Sequence, residues 1–262
     1  MRSALVLIVV AACRPAFDLA DREDIFALPG DKHVMCAASM EWPHIDRDVI
    51  DAALDRAHDD HKVLQLFAHD PGVTVDVDKI EMVLRDATAR GLTTITYREL
   101  ASGVPREARL AFSFDDWYVD HWAQIADVFI RYQARATFFV GEYDTLTDEQ
   151  KDELRLLAHD GHDIEYHSTR HENAPQYAAK HGVDAYLANE IDPDLAAMRA
   201  DGWEPIVFAY PYGHRSDALD RALLTRFTLL RSIMRECPRS AHETANDVRR
   251  DLDDDIDEPL TE

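Results

Sequence analysis

Four ionisable side chains near the middle of the chain have the types and the spacing of a metal site. Asp115 and Asp116 directly follow the mostly apolar residues 110–114, and His167 and His171 are four residues apart. Two adjacent carboxylates at the end of a buried strand are costly unless a positive charge lies beside them. Two histidines at this spacing face the same way in a helical turn and can bind one ion. One aspartate and both histidines therefore predict a two-histidine, one-carboxylate metal site with open positions for water and substrate.

The alternative is that both are ordinary surface histidines, because the chain contains thirteen histidines. The aspartate pair at the end of another predicted strand favours the metal site. A divalent ion held there lowers the pKa of water and polarises a carbonyl group. The predicted chemistry is therefore hydrolysis assisted by one divalent metal ion, and zinc is the default ion for this ligand set.

The rest of the sequence alternates between short apolar runs and stretches in which apolar residues recur at helical spacing. The apolar runs predict eight strands, at about 33–39, 62–68, 93–97, 109–114, 136–140, 163–166, 206–210 and 228–233. Strands separated by helices indicate a parallel α/β fold, and a barrel fits this number of strands.

Polar and aromatic residues come just after several of these predicted strands. They are Trp42, His69, Asp115, Asp116, His167, His171 and Tyr212. Enzymes with a barrel fold place their chemistry at the C-terminal ends of the strands. We therefore expect these side chains to meet at one rim of the barrel.

The composition limits the domain count and the partners. With 262 residues, of which 46% are hydrophobic, the chain can bury a sizeable core as one large domain or two small ones. A net charge of −23 argues against nucleic-acid binding, which needs basic patches. Residues 236–262 are strongly acidic, and we expect them to form a solvated, disordered tail.

The start of the chain resembles a bacterial lipoprotein signal. Arg2 and a short apolar run lead to Cys13, which would be the lipidated residue, and residues 14–32 are predicted to be a linker. The alternative is a buried first strand of a cytosolic protein, since the run is much too short to span a bilayer. The signal predicts a location in the cell envelope or outside the cell, with membrane contact only through Cys13. Whether Cys36 and Cys237 pair stays open.

Three segments resemble the motifs of one enzyme family. Residues 113–116 (Ser-Phe-Asp-Asp) and 167–171 (His-Ser-Thr-Arg-His) look like the first two motifs of polysaccharide deacetylases, carbohydrate esterase family 4 with the NodB-homology domain. Residues 208–213 (Phe-Ala-Tyr-Pro-Tyr-Gly) look like the third motif. The resemblance implies a distorted (β/α)7–8 barrel and a metal-dependent hydrolysis of N- or O-acetyl groups on a glycan.

Carried over by position, the resemblance also implies roles for single residues. Asp115 would be the general base, and Asp116, His167 and His171 would hold the metal ion. The backbone N–H of Tyr212 would stabilise the tetrahedral oxyanion.

The last two motifs of the family are found near the start of this chain. Residues 37–42 resemble the fourth motif, and residues 66–69 resemble the fifth, which carries the histidine that acts as general acid. Nothing after Ile233 resembles either motif. We therefore predict a circularly permuted domain in which the natural ends of the family are joined through residues 101–108.

In this permuted arrangement His69 would be the general acid, and Trp42 and Phe67 would line the pocket for the acetyl group. The alternative for His69 is a loop histidine without a role. The predicted organisation is a signal-like segment and linker at 1–32, the domain at 33–235 (family C-terminal part 33–100, family N-terminal part 109–235) and the acidic tail at 236–262.

Two positions depart from the family pattern. Ala209 stands where the third motif usually has an arginine that holds the catalytic aspartate, and Ala38 stands where the fourth motif usually has an acid that pairs with that arginine. Loss of both is coherent, since either partner alone would leave a poorly compensated buried charge. Either another residue holds Asp115 or the enzyme is slower.

The leading hypothesis is a secreted or lipid-anchored, metal-dependent hydrolase of carbon–nitrogen bonds in an N-acetylated polysaccharide. One alternative keeps the fold and the metal but cleaves another amide or an ester, as in acetyl-xylan. A second alternative is a non-catalytic glycan-binding protein, which the missing arginine would favour. The presence of all three proposed ligands and both proton-transfer groups favours the enzyme.

Overall fold

The computed structural model describes residues 17–28 and 33–237. Cys13 and residues 238–262 lie outside the described residues, so the lipid anchor and the disordered tail stay predictions. Among the described residues, no helix is both long enough and apolar enough to cross a membrane.

Within the described residues, the strands form one sheet whose central part closes into a parallel barrel of seven strands. The strands are β1 (Phe26–Ala27), β2 (Val34–Ser39), β3 (Val63–Ala68), β4 (Thr93–Ile95), β5 (Arg109–Asp116), β6 (Thr137–Val140), β7 (Asp163–Tyr166), β8 (Val207–Ala209) and β9 (Leu229–Ile233). Around the ring the order is β2, β3, β5, β6, β7, β8 and β9. The ring closes because β2 pairs with both β3 and β9, while β3 also pairs with β5. The predicted α/β barrel is confirmed.

Helices follow most of the barrel strands and cover their outer face. They are α1 (Arg47–Asp60), α2 (Val77–Ala89), α3 (Tyr97–Ala101), α4 (Val119–Gln124), α5 (Ala126–Arg131), α6 (Asp148–His159), α7 (Ala174–His181), α8 (Val183–Tyr186), α9 (Asp192–Ala200) and α10 (Asp217–Leu223). Short 3₁₀ turns lie at Leu19–Asp21, Tyr143–Thr145 and Pro211–Gly213, and a π-helical turn lies at Leu187–Ile191.

Local sequence signals explain where several helices begin and end. The side chain of Asp46 accepts a hydrogen bond from the backbone N–H of Val49 at the start of α1. The spacing of Thr147 and Gln150 predicts a capping box, and these two residues form it at the start of α6. Gly161 follows α6 with a φ of 94°, a conformation that favours glycine.

The alternation of side chains along the strands divides the core into an outer and an inner part. Outside the barrel, Phe112 and Phe114 pack with the helices. Inside, Ala111 and Phe139 pack with Tyr97 of α3, whose ring centroid lies 5.3 Å from that of Phe139. Because α3 is buried there, it closes the end of the barrel at which the strands begin.

Three segments differ from the predicted elements. β4 is shorter than predicted and lies outside the ring. It pairs with residues 109–111 of β5, whereas β6, which belongs to the ring, pairs with residues 113–116 on the same edge of β5. The sequence pattern also predicts one helix over 119–132, which the structure divides at Ile125 into α4 and α5. Part of the predicted linker is built into the fold, since β1 pairs antiparallel with β3 and Leu19 and Ile25 are buried.

Cys36 of β2 and Cys237 form a disulfide, with their Cα atoms 5.9 Å apart. The bond joins β2 to the segment that follows its neighbour β9. The pairing that the sequence left open is therefore present in the fold.

Candidate metal and catalytic site

The C-terminal ends of the barrel strands bring the predicted site residues to one rim. β5 continues through Asp115 and Asp116, while His69, His167 and Tyr212 follow β3, β7 and β8. Parallel strands present their C-terminal ends on the same side of a barrel, so residues far apart in the chain lie together there.

Asp116, His167 and His171 bring one carboxylate oxygen and two imidazole nitrogens within 4.8 Å of one another. Oδ1 of Asp116 lies 3.3 Å from Nε2 of His167 and 3.2 Å from Nε2 of His171. This oxygen is buried and accepts no hydrogen bond from the described residues. A buried carboxylate oxygen without a donor, facing two imidazole nitrogens, fits a divalent cation between the three groups.

The two histidines meet through a loop instead of the predicted helical turn. Ser168 has a φ of 82° and His171 a φ of 54°, both left-handed values that interrupt a helix. The Ser168 hydroxyl accepts a hydrogen bond from the backbone N–H of His171 at 3.0 Å, and the rings of His167 and His171 lie 5.1 Å apart. The predicted helical turn is therefore wrong, although the two rings face each other.

The protonation states of this cluster suit metal binding. Nδ1 of His167 donates a hydrogen bond to the carbonyl oxygen of Ala209 at 2.9 Å, which leaves the lone pair of Nε2 directed at Asp116. Burial lowers the pKa of His167 because it disfavours the charged imidazolium. Burial opposes the charge of Asp116 as well, but its contacts with the two imidazoles hold the pKa of that carboxyl well below its ordinary value. A neutral imidazole and a charged carboxylate are the forms that bind a metal ion.

Asp115 is held by Arg231, a residue of β9 that sequence analysis did not single out. Nη2 of Arg231 donates a hydrogen bond to Oδ1 of Asp115. The guanidinium is fully buried, with its Cζ 4.9 Å from the ring centroid of Phe67 and 5.0 Å from that of Phe139. Aromatic faces attract a cation, and the carboxylate compensates its charge. Arg231 pairs in register with Ala209, so the neighbouring strand supplies an arginine beside the position where the family pattern has one.

A sequence signal for Arg231 was present. Residues 229–233 read Leu-Leu-Arg-Ser-Ile, so a single charged residue interrupts an apolar strand. A charge in a buried strand needs a partner of opposite charge. Arg170, which lies in the second motif and is closer in sequence to the predicted site, pairs instead with Glu190 at 3.3 Å.

His69 is held by Glu41, which precedes Trp42 in the segment that resembles the fourth motif. Nδ1 of His69 lies 2.6 Å from Oε2 of Glu41, and the backbone N–H of His69 donates a hydrogen bond to Oε1 at 2.7 Å. The hydroxyl of Thr74 also donates a hydrogen bond to Glu41. These contacts fix the imidazole and leave Nε2 as the ring nitrogen that Glu41 does not bind.

The same contacts control the charge of His69. Burial disfavours the imidazolium, but the hydrogen bond with Glu41 and the charges of Asp115 and Asp116 outweigh burial and raise the pKa of His69 to about 9. Burial works to raise the pKa of Glu41, yet its hydrogen bonds with His69 and Thr74 hold that pKa below its ordinary value. His69 is therefore protonated at neutral pH and can donate a proton.

The three predicted aromatic residues of the site differ in exposure and in the groups that they contact. Tyr212 is 55% exposed, with a left-handed φ of 58°, and its ring centroid lies 4.6 Å from that of His171. Trp42 is half-buried and packs against the outer core. Phe67 is 4% exposed and meets the ring of His69 edge to face at 5.4 Å. Phe67 thus contacts two polar groups of the site, the imidazole of His69 and the guanidinium of Arg231.

Residues 102–227 match the family model described as polysaccharide deacetylase. The matched segment is slightly less than half of the chain, and over it the chain is similar to polysaccharide deacetylases. No curated protein matches the chain in sequence.

Three solved structures resemble this fold. IcaB from Ammonifex degensii is 14% identical with a TM-score of 0.53, over 73% of this chain and 95% of that protein. BC0361, a polysaccharide deacetylase from Bacillus cereus, is 16% identical with a TM-score of 0.50, over 65% of this chain and 56% of that protein. The Streptococcus pyogenes deacetylase PplD, solved in complex with acetate, is 19% identical with a TM-score of 0.49, over 63% of this chain and 72% of that protein. At these identities the similarity to IcaB and BC0361 shows the fold alone.

Proposed function

We propose that this protein removes acetyl groups, principally N-acetyl groups, from a polysaccharide with the help of one divalent metal ion. The observation that carries the proposal is the convergence of Asp116, His167 and His171 at the rim of a deacetylase-family barrel. Beside this cluster lie Asp115, held by a buried cation, and His69, held by a carboxylate. A metal-ligand set with a base and an acid next to it supports hydrolysis of an acyl group.

Asp116, His167 and His171 are the proposed ligands of the metal ion, and zinc is the proposed metal. When bound, the ion would polarise the acetyl carbonyl and make the attacking water more acidic.

The proton transfers are assigned to two residues of the chain. The Asp115 carboxylate takes a proton from the water that attacks the acetyl carbon. The backbone N–H of Tyr212 donates a hydrogen bond to the acetyl oxygen as negative charge develops on it. His69 then gives its Nε2 proton to the departing nitrogen, so that acetate and a free amino sugar leave.

The charge of His69 supports an amide substrate over an ester. An amine is a poor leaving group until its nitrogen is protonated, whereas an alcohol needs less help. Because the pKa of His69 is raised to about 9, the acid form is present at neutral pH. This favours N-acetyl over O-acetyl groups.

A cavity beside the site supports a polymeric substrate. It has a volume of about 430 Å³, and Glu41, Trp42, Thr74 and Asp76 contribute to its lining. Glu41 also contacts His69, so the cavity lies next to the proposed acid. An aromatic ring with carboxylate and hydroxyl groups around it suits a neighbouring sugar ring.

The disulfide between Cys36 and Cys237 supports a location in an oxidising compartment. We therefore propose that the protein acts in the cell envelope or outside the cell. A lipid anchor at Cys13 is part of the same proposal.

The proposed domain is circularly permuted. The family match covers residues 102–227, whereas Glu41 and His69 precede it. β3 lies beside β5, so strands that come before the matched segment complete the same ring. A chain that begins at residue 105, connects residue 237 to residue 17 through a flexible linker and ends at residue 104 would restore the family order and keep β1, and we expect it to fold and to keep its activity. A folded but inactive chain of this kind would argue against the permutation.

The test is acetate release from chitin oligomers, poly-N-acetylglucosamine, peptidoglycan and acetyl-xylan, with added zinc and with a chelator. We expect zinc-dependent release from an N-acetylated glycan that Asp115→Asn abolishes. Asp152→Asn is the matched control, because the Asp152 side chain is 73% exposed on α6. Release from acetyl-xylan alone would indicate an esterase, and zinc binding without any release would indicate a glycan-binding protein.

A further inference from the structure

Strand β9 contacts both the proposed base and the turn that carries Tyr212. Arg231 donates a hydrogen bond to Asp115, and the next residue, Ser232, donates one from Oγ to the carbonyl oxygen of Gly213 at 2.5 Å. Both side chains are fully buried. Because neighbouring side chains on a strand point to opposite faces, one strand reaches two separate parts of the site.

The turn at Tyr210–Gly213 has a backbone that needs external support. Tyr212 has a φ of 58°, which is unfavourable for a residue other than glycine and persists only where the surroundings hold it. Gly213 follows with a φ of 69°. A Cβ atom at Gly213 would lie 2.3 Å from Cγ1 of Ile233, so the turn sits directly on β9 and leaves room for glycine only.

Three consecutive residues of β9 therefore supply that support. The backbone N–H of Tyr210 donates a hydrogen bond to the carbonyl oxygen of Arg231 at 2.9 Å. Ser232 binds the far end of the turn, and Ile233 packs against Gly213. The turn is thus held at both of its ends by the same strand.

β9 is itself fixed at its C-terminal end. The backbone N–H of Met234 donates a hydrogen bond to the carbonyl oxygen of Ala37 at 2.9 Å, and Cys237 is bonded to Cys36 of the same neighbouring strand. The strand can therefore serve as a rigid reference for both groups that it contacts.

We propose that Ser232 is a positioning residue that fixes the backbone N–H of Tyr212, and that β9 thereby sets the distance between this N–H and Asp115. The inference rests on the proposed function, because it concerns the hydrogen bond that Tyr212 donates to the acetyl oxygen. Ser232 touches no reacting atom and acts only through Gly213. Misplacing an oxyanion donor lowers the rate of the chemical step and leaves substrate binding nearly unchanged.

The first test compares Ser232→Ala, which removes the donor, with Ser232→Thr, which keeps the hydroxyl. We expect kcat of Ser232→Ala to fall by about tenfold or more while KM changes by less than about twofold, and Ser232→Thr to lie between it and the parent. Ser102→Ala is the matched control, since the Ser102 hydroxyl also donates to a backbone carbonyl but is exposed just after the end of α3. It should leave kcat unchanged.

The second test uses the contact between Gly213 and Ile233. Gly213→Ala should lower kcat, and adding Ile233→Ala should restore part of it by removing Cγ1 and Cγ2, the two atoms nearest to the new Cβ. Gly202→Ala controls for backbone strain alone, since Gly202 has a φ of 92° with nothing within 4 Å of an added Cβ. We expect it to cost stability without changing kcat.

The outcomes separate the inference from the proposed function. Unchanged kcat in Ser232→Ala, with only a lower melting temperature, would overturn the positioning role while the deacetylase proposal stands. If the parent protein releases no acetate, crystal structures still decide the inference: a Tyr212 turn displaced in Ser232→Ala supports it, and an unmoved turn refutes it.

Discussion

Asp115 and His69 lie at the ends of the adjacent strands β5 and β3, yet their partners carry opposite charges. Asp115 is 2% exposed and meets a guanidinium buried between two phenyl rings. His69 is partly exposed and meets the carboxylate of Glu41. One pair holds a carboxylate that is proposed to accept a proton, and the other holds an imidazole that is proposed to donate one.

The charge of the neighbouring residue determines whether each side chain is suited to accept or to donate a proton. A cation beside a carboxylate preserves the charged form, which can act as a base, and an anion beside an imidazole preserves the imidazolium, which can act as an acid. The two pairs also differ in burial. Removing one member of a buried pair leaves an uncompensated charge, whereas water can still reach a partly exposed one. We therefore expect disruption of the Asp115–Arg231 pair to be the more damaging.

The largest effect is expected for Asp115→Asn. An amide cannot accept the proton of the attacking water, so kcat for acetate release should fall about 10³-fold. Steady-state kinetics with the best substrate of the panel measures the loss, and Asp152→Asn should match the parent. A residual rate within about tenfold of the parent would remove Asp115 from the role of base.

A smaller loss of activity, with a large loss of stability, is expected for Arg231→Met. Without the cation the buried carboxylate is uncompensated, so the free energy of unfolding should fall by about 3–5 kcal/mol and kcat about 100-fold. Urea unfolding and steady-state kinetics measure the two effects.

The double variant Asp115→Asn with Arg231→Met sharpens this result. It should be more stable than Arg231→Met alone, because a neutral amide does not require a cation. If the two single losses simply add, charge compensation is not what Arg231 contributes.

For the pair of His69 and Glu41, the substitution Glu41→Gln should mainly change the pH dependence of the activity. The pKa of His69 is raised to about 9, so its acid form is present below that pH and is lost as the pH rises through it. Without the Glu41 charge only Asp115 and Asp116 oppose burial, so the pKa of His69 should fall and the alkaline limb of kcat/KM should move to lower pH. Activity at pH 6 should change little. The same limb in parent and variant would contradict the pairing, and Glu149→Gln on exposed α6 is the control.

The smallest effect on activity is expected for Cys36→Ser. The disulfide joins the strand that leads to Glu41 with the segment that follows the strand carrying Arg231, so its loss tests whether the two pairs depend on this link. Removing a cross-link costs about 2–5 kcal/mol of stability, which thermal unfolding would show. We expect kcat at 25 °C to stay within about twofold of the parent, because the hydrogen bonds between β2 and β9 remain. A large loss of kcat would mean that the site needs the covalent link.

The sequence was sufficient for the features that depend on local patterns. Alternating apolar runs and helical spacings predicted the parallel barrel, and the positions of Asp115, His69 and His167 directly after apolar runs predicted one shared rim. The capping box at Thr147 was also predictable, since it depends on residues within one turn of helix. These features follow from the local propensities of the backbone and from the geometry of parallel strands.

The partners of the site residues were not predictable in the same way. Arg231 and Asp115 are 116 residues apart, and Glu41 and His69 are 28 residues apart. No periodicity connects such residues, because only the closure of the barrel brings them together. The left-handed conformations of Ser168 and His171 likewise depend on the contacts of the folded loop.

The sequence predicted eight of the strands and the residues at their C-terminal ends, where the proposed chemistry lies. The tertiary structure alone decided which charge stands beside each of them. The physical reason is that secondary structure and strand-end position are set by neighbours in the chain, whereas charge compensation in a barrel interior is set by neighbours in space.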